Sequence, residues 1–103
     1  MISYRTTWII KQGRMEEALE LLNAESQSVG HLISGNAAIR VYTPDISPNV
    51  LVFEDVFGSV EDHERFWAAY NKTPQAATFW PKWAELVERS IGTERWHLEE
   101  WRG

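Results

Sequence analysis

The sequence predicts an α+β sandwich, a four-stranded antiparallel sheet with two helices on one face, in the order β-α-β-β-α-β. Three observations predict it. Residues 2–11, "ISYRTTWIIK", and 50–57, "VLVFEDVF", are strand-length runs of β-branched and aromatic residues. "RMEEALELLNAESQSVG" and the segment after Ser59 carry apolar residues at helical spacing. No repeat, low-complexity tract or linker interrupts the 103 residues, so a single domain over 1–103 must hold every element. With right-handed crossovers, that order gives the split βαβ, or ferredoxin-like, arrangement.

In the first strand, Tyr4, Thr6, Trp8 and Ile10 share one face, and Ser3, Arg5, Thr7 and Ile9 the other. Gln12-Gly13 turns the chain. Helix one begins at Arg14, with Met15, Ala18, Leu19, Leu22 and Val29 toward the core and Gly30 as its end signal. Residues 37–43, "AAIRVYT", form the second strand, and the prolines of "PDISPN" mark the turn over Pro44–Asn49. The third strand, 50–57, is nearly apolar on both faces, as a central strand is. Ser59 then stands at an N-cap with Asp62 three residues on, an imperfect capping box. Helix two runs to about Tyr70, is interrupted near Pro74 and resumes through "FWPKWAELVERS" to about Ser90. "TERWHLEEW" alternates as a fourth strand.

Composition narrows the function classes. Hydrophobic residues at 44% and charged residues at 24% are those of a globular domain. Six tryptophans are far more than usual and point to a large aromatic surface, a pocket lining or a subunit interface. A net charge of −5 without a basic stripe argues against nucleic acid. The absence of cysteine excludes thiolate metal sites, disulfides and cysteine nucleophiles. No apolar run reaches membrane-spanning length, and "MISYRTTWIIKQG" lacks the layout of a signal peptide, so a cytoplasmic protein is expected, without a membrane partner.

The uncovered sheet face is expected to carry Arg5, Thr7, Ile9, Arg40, Tyr42, His97, Glu99 and Trp101. Aromatics beside charges on an open sheet call for a cover, and a second copy is the simplest one: a two-fold homodimer.

The triplet Asp62-His63-Glu64 raises the question of catalysis or metal binding. Helical spacing sets His63 on the side of Phe66, Trp67 and Tyr70. Asp62 and Glu64 lie about 100° to either side of it, so the three do not converge on one ion. The acids favour the positive end of the helix dipole, and Glu61 can pair with Arg65. His63 remains: a half-buried histidine bonded to backbone, or a proton acceptor at a pocket mouth, with Asp55 as its one possible helper. Arg95, His97 and Glu99 form a second stripe, read as interface packing. A metal site would need His31, His63 and His97 to converge from separate elements, and no metal or other cofactor is expected.

The whole chain resembles the dimeric α+β-barrel superfamily, which includes antibiotic-biosynthesis monooxygenases, stress-responsive barrel proteins and NIPSNAP-like domains. "WIIKQGRMEEALELL" is similar to their strand-Lys-x-Gly-helix opening. "VFEDVFGSVEDHERF" resembles their third strand, Ser cap and acidic helix start. "NKTPQAATFWPKWAELVERS" resembles the Pro-interrupted helix of NIPSNAP-like members. The resemblance implies a barrel built from two sheets across a dimer. It also implies a pocket in each subunit between sheet and helices, drawing on Tyr4, Thr6, Trp8, Trp67, Tyr70 and Trp83, with His63 at its mouth. Tyr4 and Thr6 replace an acid and an arginine of NIPSNAP-like openings, Gln12 a proline, and Phe66 a histidine of the monooxygenases. Thr6 also stands where haem-degrading relatives have asparagine.

Three functions are consistent with these residues. The first is a small-molecule-binding protein with an aromatic-lined pocket for an apolar or aromatic ligand. The second is a cofactor-independent monooxygenase or isomerase acting on an aromatic or polyketide-like substrate. The third is a purely structural or regulatory dimer.

Overall fold

The computed structural model describes residues 1–29 and 36–99. Its elements are β1 (Ile2–Ile10), α1 (Met15–Val29), β2 (Asn36–Tyr42), β3 (Val50–Phe57), α2 (Val60–Tyr70), α3 (Pro74–Leu86) and β4 (Val87–His97). The strands form one antiparallel sheet in the order β2-β3-β1-β4, the ferredoxin-like order, with helices against one face.

Pleat parity sorts the side chains. Across β1, β3 and β2, Arg5 faces Glu54 and Glu54 faces Arg40; Thr7 faces Val52 and Val52 faces Tyr42. These belong to the open face. Tyr4 opposite Asp55, Thr6 opposite Phe53 and Trp8 opposite Leu51 belong to the helix side. Helix α1 adds Ala18, Leu22 and Val29, all buried and four or seven residues apart. The core forms two clusters, one around Ile10, Leu51, Phe79 and Trp83, the other around Phe57, Phe66 and Tyr70.

Turn chemistry acts where the sequence places it. Gly13 has φ +77°, the left-handed region that favours glycine, and the Arg14 N–H closes the turn on the Lys11 carbonyl at 3.0 Å. Ser59 Oγ accepts the Asp62 N–H at 3.1 Å and caps α2.

The structure departs from the sequence reading in five places. Helix two is two helices, because Pro74 occupies the first turn of α3 behind its N-cap Thr73 and starts a helix instead of interrupting one. The proline inside the helix is Pro81. Helix α3 stops at Leu86, not near Ser90. Val87 turns extended, and residues 87–90 pair with Ile10, Ile9 and Trp8, so sheet hydrogen bonds override local helix propensity. Leu19 is exposed, about one helical step off the buried stripe, while Leu21 packs beside the core. Arg65 pairs with Asp62 at 3.2 Å rather than with Glu61, an exposed contact of small energetic weight.

The fifth departure concerns β4. Arg95 faces Tyr4 and His97 faces Ile2, so both lie on the helix side, while Glu94 and Trp96 join Arg5 and Ser3 on the open face. His97 therefore does not belong with Arg5 and Arg40. Glu99 lies beyond the strand, and Trp101, like Gly30 and His31, lies outside the described residues. Strand β4 is exposed along nearly its whole length, so no buried face in its own sequence sets its parity; pairing with β1 does.

Candidate functional site

Between the two core clusters the helices stand off the sheet and leave a cavity of about 420 Å³. Its floor is the helix side of the sheet: Tyr4, Thr6 and Trp8 from β1, Phe53 and Asp55 from β3, Ile39 from β2 and Thr93 from β4. Helix α1 contributes Leu22, Glu25, Ser26 and Val29. Helix α2 contributes His63, Phe66, Trp67 and Tyr70, and α3 Phe79, Trp80 and Trp83. Tyr4, Thr6, Trp8, His63, Trp67, Tyr70 and Trp83, separated widely in the sequence, thus meet around one space. Four of the chain's six tryptophans line it.

The walls are a run of ring contacts. Trp8 meets Trp83 edge-on at 5.7 Å, and Phe79 lies nearly parallel to Trp83 at 5.8 Å. On the α2 side, Trp67 meets Phe66 at 5.3 Å and Tyr70 at 5.4 Å, both near perpendicular. Each ring fixes the next, so the space is held open by packed aromatics.

Polar side chains with defined contacts border the cavity at three points among the described residues. Thr6 and Thr93 hydroxyls bond each other across β1 and β4 at 2.8 Å. Tyr70 Oη donates to Glu25 Oε1 at 3.0 Å, and burial together with that carboxylate pushes the Tyr70 phenol far above its usual range. The third point is the end near α2, where the His63 imidazole stacks on the Tyr4 ring at 3.6 Å and 9° and meets Phe57 edge-on at 5.0 Å. Burial lowers the His63 pKa from 6.5 against a weaker opposing pull from Glu64, which favours the neutral imidazole. Asp55 is buried on this same side of the sheet.

Several lining residues were missed in the sequence. Phe53 shares parity with Leu51, a signal that was present. Glu25 interrupts the apolar stripe of α1 between Leu22 and Val29, also a readable signal. Thr93 joins Thr6 only through strand register, which no local pattern announces.

The open face holds a second constellation. Glu54 is only 2% exposed, yet it lies on the side without helices. Ser3 Oγ donates to Oε2 at 2.7 Å and Arg5 Nε at 2.9 Å; Arg40 Nη1 donates to Oε1 at 3.1 Å and Tyr42 Oη at 3.0 Å. Burial works against the charged carboxylate, but the four donors together outweigh it and hold the Glu54 pKa at about 2. Arg5 also lies 5.8 Å from the centre of the Trp96 ring. Tyr42 and Trp96 remain 45% and 51% exposed on this face.

Among the described residues, no group of His, Asp and Glu side chains is arranged to hold a metal ion, and no helix is long and apolar enough to cross a membrane. No family model and no curated protein sequence matches the chain. Solved structures do. A NIPSNAP domain protein of Burkholderia xenovorans superposes with a TM-score of 0.78 at 17% identity, covering 96% of this chain and 95% of that one. A NIPSNAP family protein of Agrobacterium tumefaciens gives 0.78 at 18% identity, covering 96% and 93%. A candidate antibiotic biosynthesis monooxygenase of Chloroflexus aurantiacus gives 0.75 at 13%, covering 99% and 96%. The chain has the fold these proteins share.

Proposed function

We propose that this α+β chain is a small-molecule-binding protein, working as a two-fold homodimer, whose cavity between sheet and helices receives a flat aromatic or apolar ligand. One observation carries the reading: an aromatic-walled space of about 420 Å³ inside a single subunit, within the usual range for ligand pockets. Flat aromatic ligands are expected to quench tryptophan emission, and Trp67→Ala to weaken the quenching. A diverse panel that leaves the emission unchanged would remove the reading.

The dimer is supported by the exposed Tyr42 and Trp96 beside Arg5 and Arg40 on the sheet face without helices. Sedimentation equilibrium at micromolar concentration is expected to give twice the chain mass of 12.0 kDa. A clean monomer would refute the barrel.

A second reading, cofactor-independent oxygenation or isomerisation of an aromatic substrate, draws on His63 alone. Its imidazole is held toward the neutral form and borders the cavity, as a general base must. Under this reading His63→Gln lowers turnover of a phenolic substrate by about 10²–10⁴-fold with the fold retained. Oxygen consumption that is absent in the wild type, or unchanged by His63→Gln, would eliminate it.

A further inference from the structure

Tyr4 borders the cavity, and its side chain ends in a polar atom with its bonding incomplete. Tyr4 Oη is enclosed and, among the described residues, is the buried side-chain donor or acceptor left without a hydrogen-bond partner. The neighbouring hydroxyls are engaged, Thr6 with Thr93 and Tyr70 with Glu25. Tyr4 cannot easily relieve this by turning outward. Its backbone is paired on both sides, opposite Asp55 and Arg95, while His63 covers its ring face and the Phe57 ring meets it edge-on at 6.1 Å.

A phenylalanine at this position would keep both ring contacts and avoid the orphaned hydroxyl. The hydroxyl therefore burdens the fold, and a ligand oxygen that reaches it through the lining would satisfy it. The charged chains among the described lining residues are Glu25 and Asp55, with no lysine or arginine. Among these described residues an anionic substituent would meet acids in an apolar setting and no lysine or arginine.

We propose that Tyr4 is the ligand anchor, and that the cavity takes a flat, uncharged ring system bearing one hydroxyl or carbonyl group that hydrogen-bonds the Tyr4 hydroxyl. The remainder of the ligand lies against Trp8, Trp67 and Trp83. This rests on the ligand-binding reading above and narrows it to a ligand class and a contact atom.

The test is calorimetric titration of the full chain and of Tyr4→Phe with naphthalene, 2-naphthol and 2-naphthoate. The wild type is expected to bind 2-naphthol more tightly than naphthalene, and 2-naphthoate more weakly than 2-naphthol. Tyr4→Phe should reduce the preference for 2-naphthol over naphthalene by about 3–10-fold, the net worth of one hydrogen bond. Without ligand, Tyr4→Phe should melt no lower than the wild type, because it deletes only an unsatisfied group. A preference unchanged by Tyr4→Phe overturns the anchor while leaving ligand binding in place, and tightest binding by 2-naphthoate overturns the uncharged class. If none of the three binds the wild type, the ligand-binding reading falls and this one with it. A Tyr4→Phe chain that fails to fold or melts markedly lower shows that the hydroxyl serves the fold, which also overturns the proposal.

Discussion

Replacing Glu54 with glutamine tests the physical account of the open sheet face. The substitution keeps the volume but removes the charge that Ser3, Arg5, Arg40 and Tyr42 converge on. The carboxyl falls from 4.5 to about 2 on folding, and each pKa unit corresponds to about 1.4 kcal/mol, so the charged form contributes up to about 3 kcal/mol at neutral pH. Arg5 and Arg40 are themselves about half exposed, with side chains at 45% and 58%, so water screens part of this. A net loss of about 2 kcal/mol is expected for Glu54→Gln at pH 7. The pH dependence carries the sharper test. Because the folded pKa is depressed, the contribution is complete above about pH 4.5 and is lost as pH falls toward 2. Urea unfolding followed by tryptophan emission, at matched protein concentration, should show a large gap between wild type and variant at pH 7. The gap should shrink by half or more at pH 3. A gap of equal size at both values would refute the claim that the ionised carboxylate, rather than its shape, stabilises the face.

Ser59→Ala removes the cap on the Asp62 N–H and should cost about 1 kcal/mol in the same unfolding assay; no loss would mean the cap carries no weight. Trp83 is 3% exposed in the core, and Trp83→Ala should cost about 3–5 kcal/mol, read as a fall in the urea midpoint. Because burial lowers the His63 pKa, the neutral imidazole favours folding above about pH 6.5, and that support is lost as pH falls below it. In an NMR titration one histidine should titrate below the ordinary value, its signal should vanish in His63→Gln, and that variant should lose less stability in mild acid than the wild type.

The helix start at Ser59 and the turn at Gly13 were legible because their signals are local: a side chain that caps its own helix and a residue that tolerates φ +77°. Strand parity in β1 was legible for a related reason. In "ISYRTTWII" one face is buried under helices, and a slip of one residue would expose it. The end of α3 was not legible. "ELVERS" has fair helix propensity, and only the pairing of residues 87–90 with β1 turns it extended.

The sequence by itself determined the order of strands and helices, apart from the division of the second helical segment into α2 and α3, together with the Tyr4-Thr6-Trp8 face, the position of His63 on the inner side of α2, and the weight of aromatics facing the helices. These follow from periodicity and caps, which act within a few residues. Only the tertiary structure decided which sides the adjacent acids Glu54 and Asp55 take, that the former gathers two arginines on the open face while the latter borders the cavity, and that His97 lies with Ile2 rather than with Arg5. The physical reason is the same in each case. A period-two pattern fixes parity only where one face is buried by hydrophobic packing. The two acids interrupt that pattern in β3, and β4 is exposed on both faces, so their orientation is set by hydrogen-bond register with strands distant in the chain.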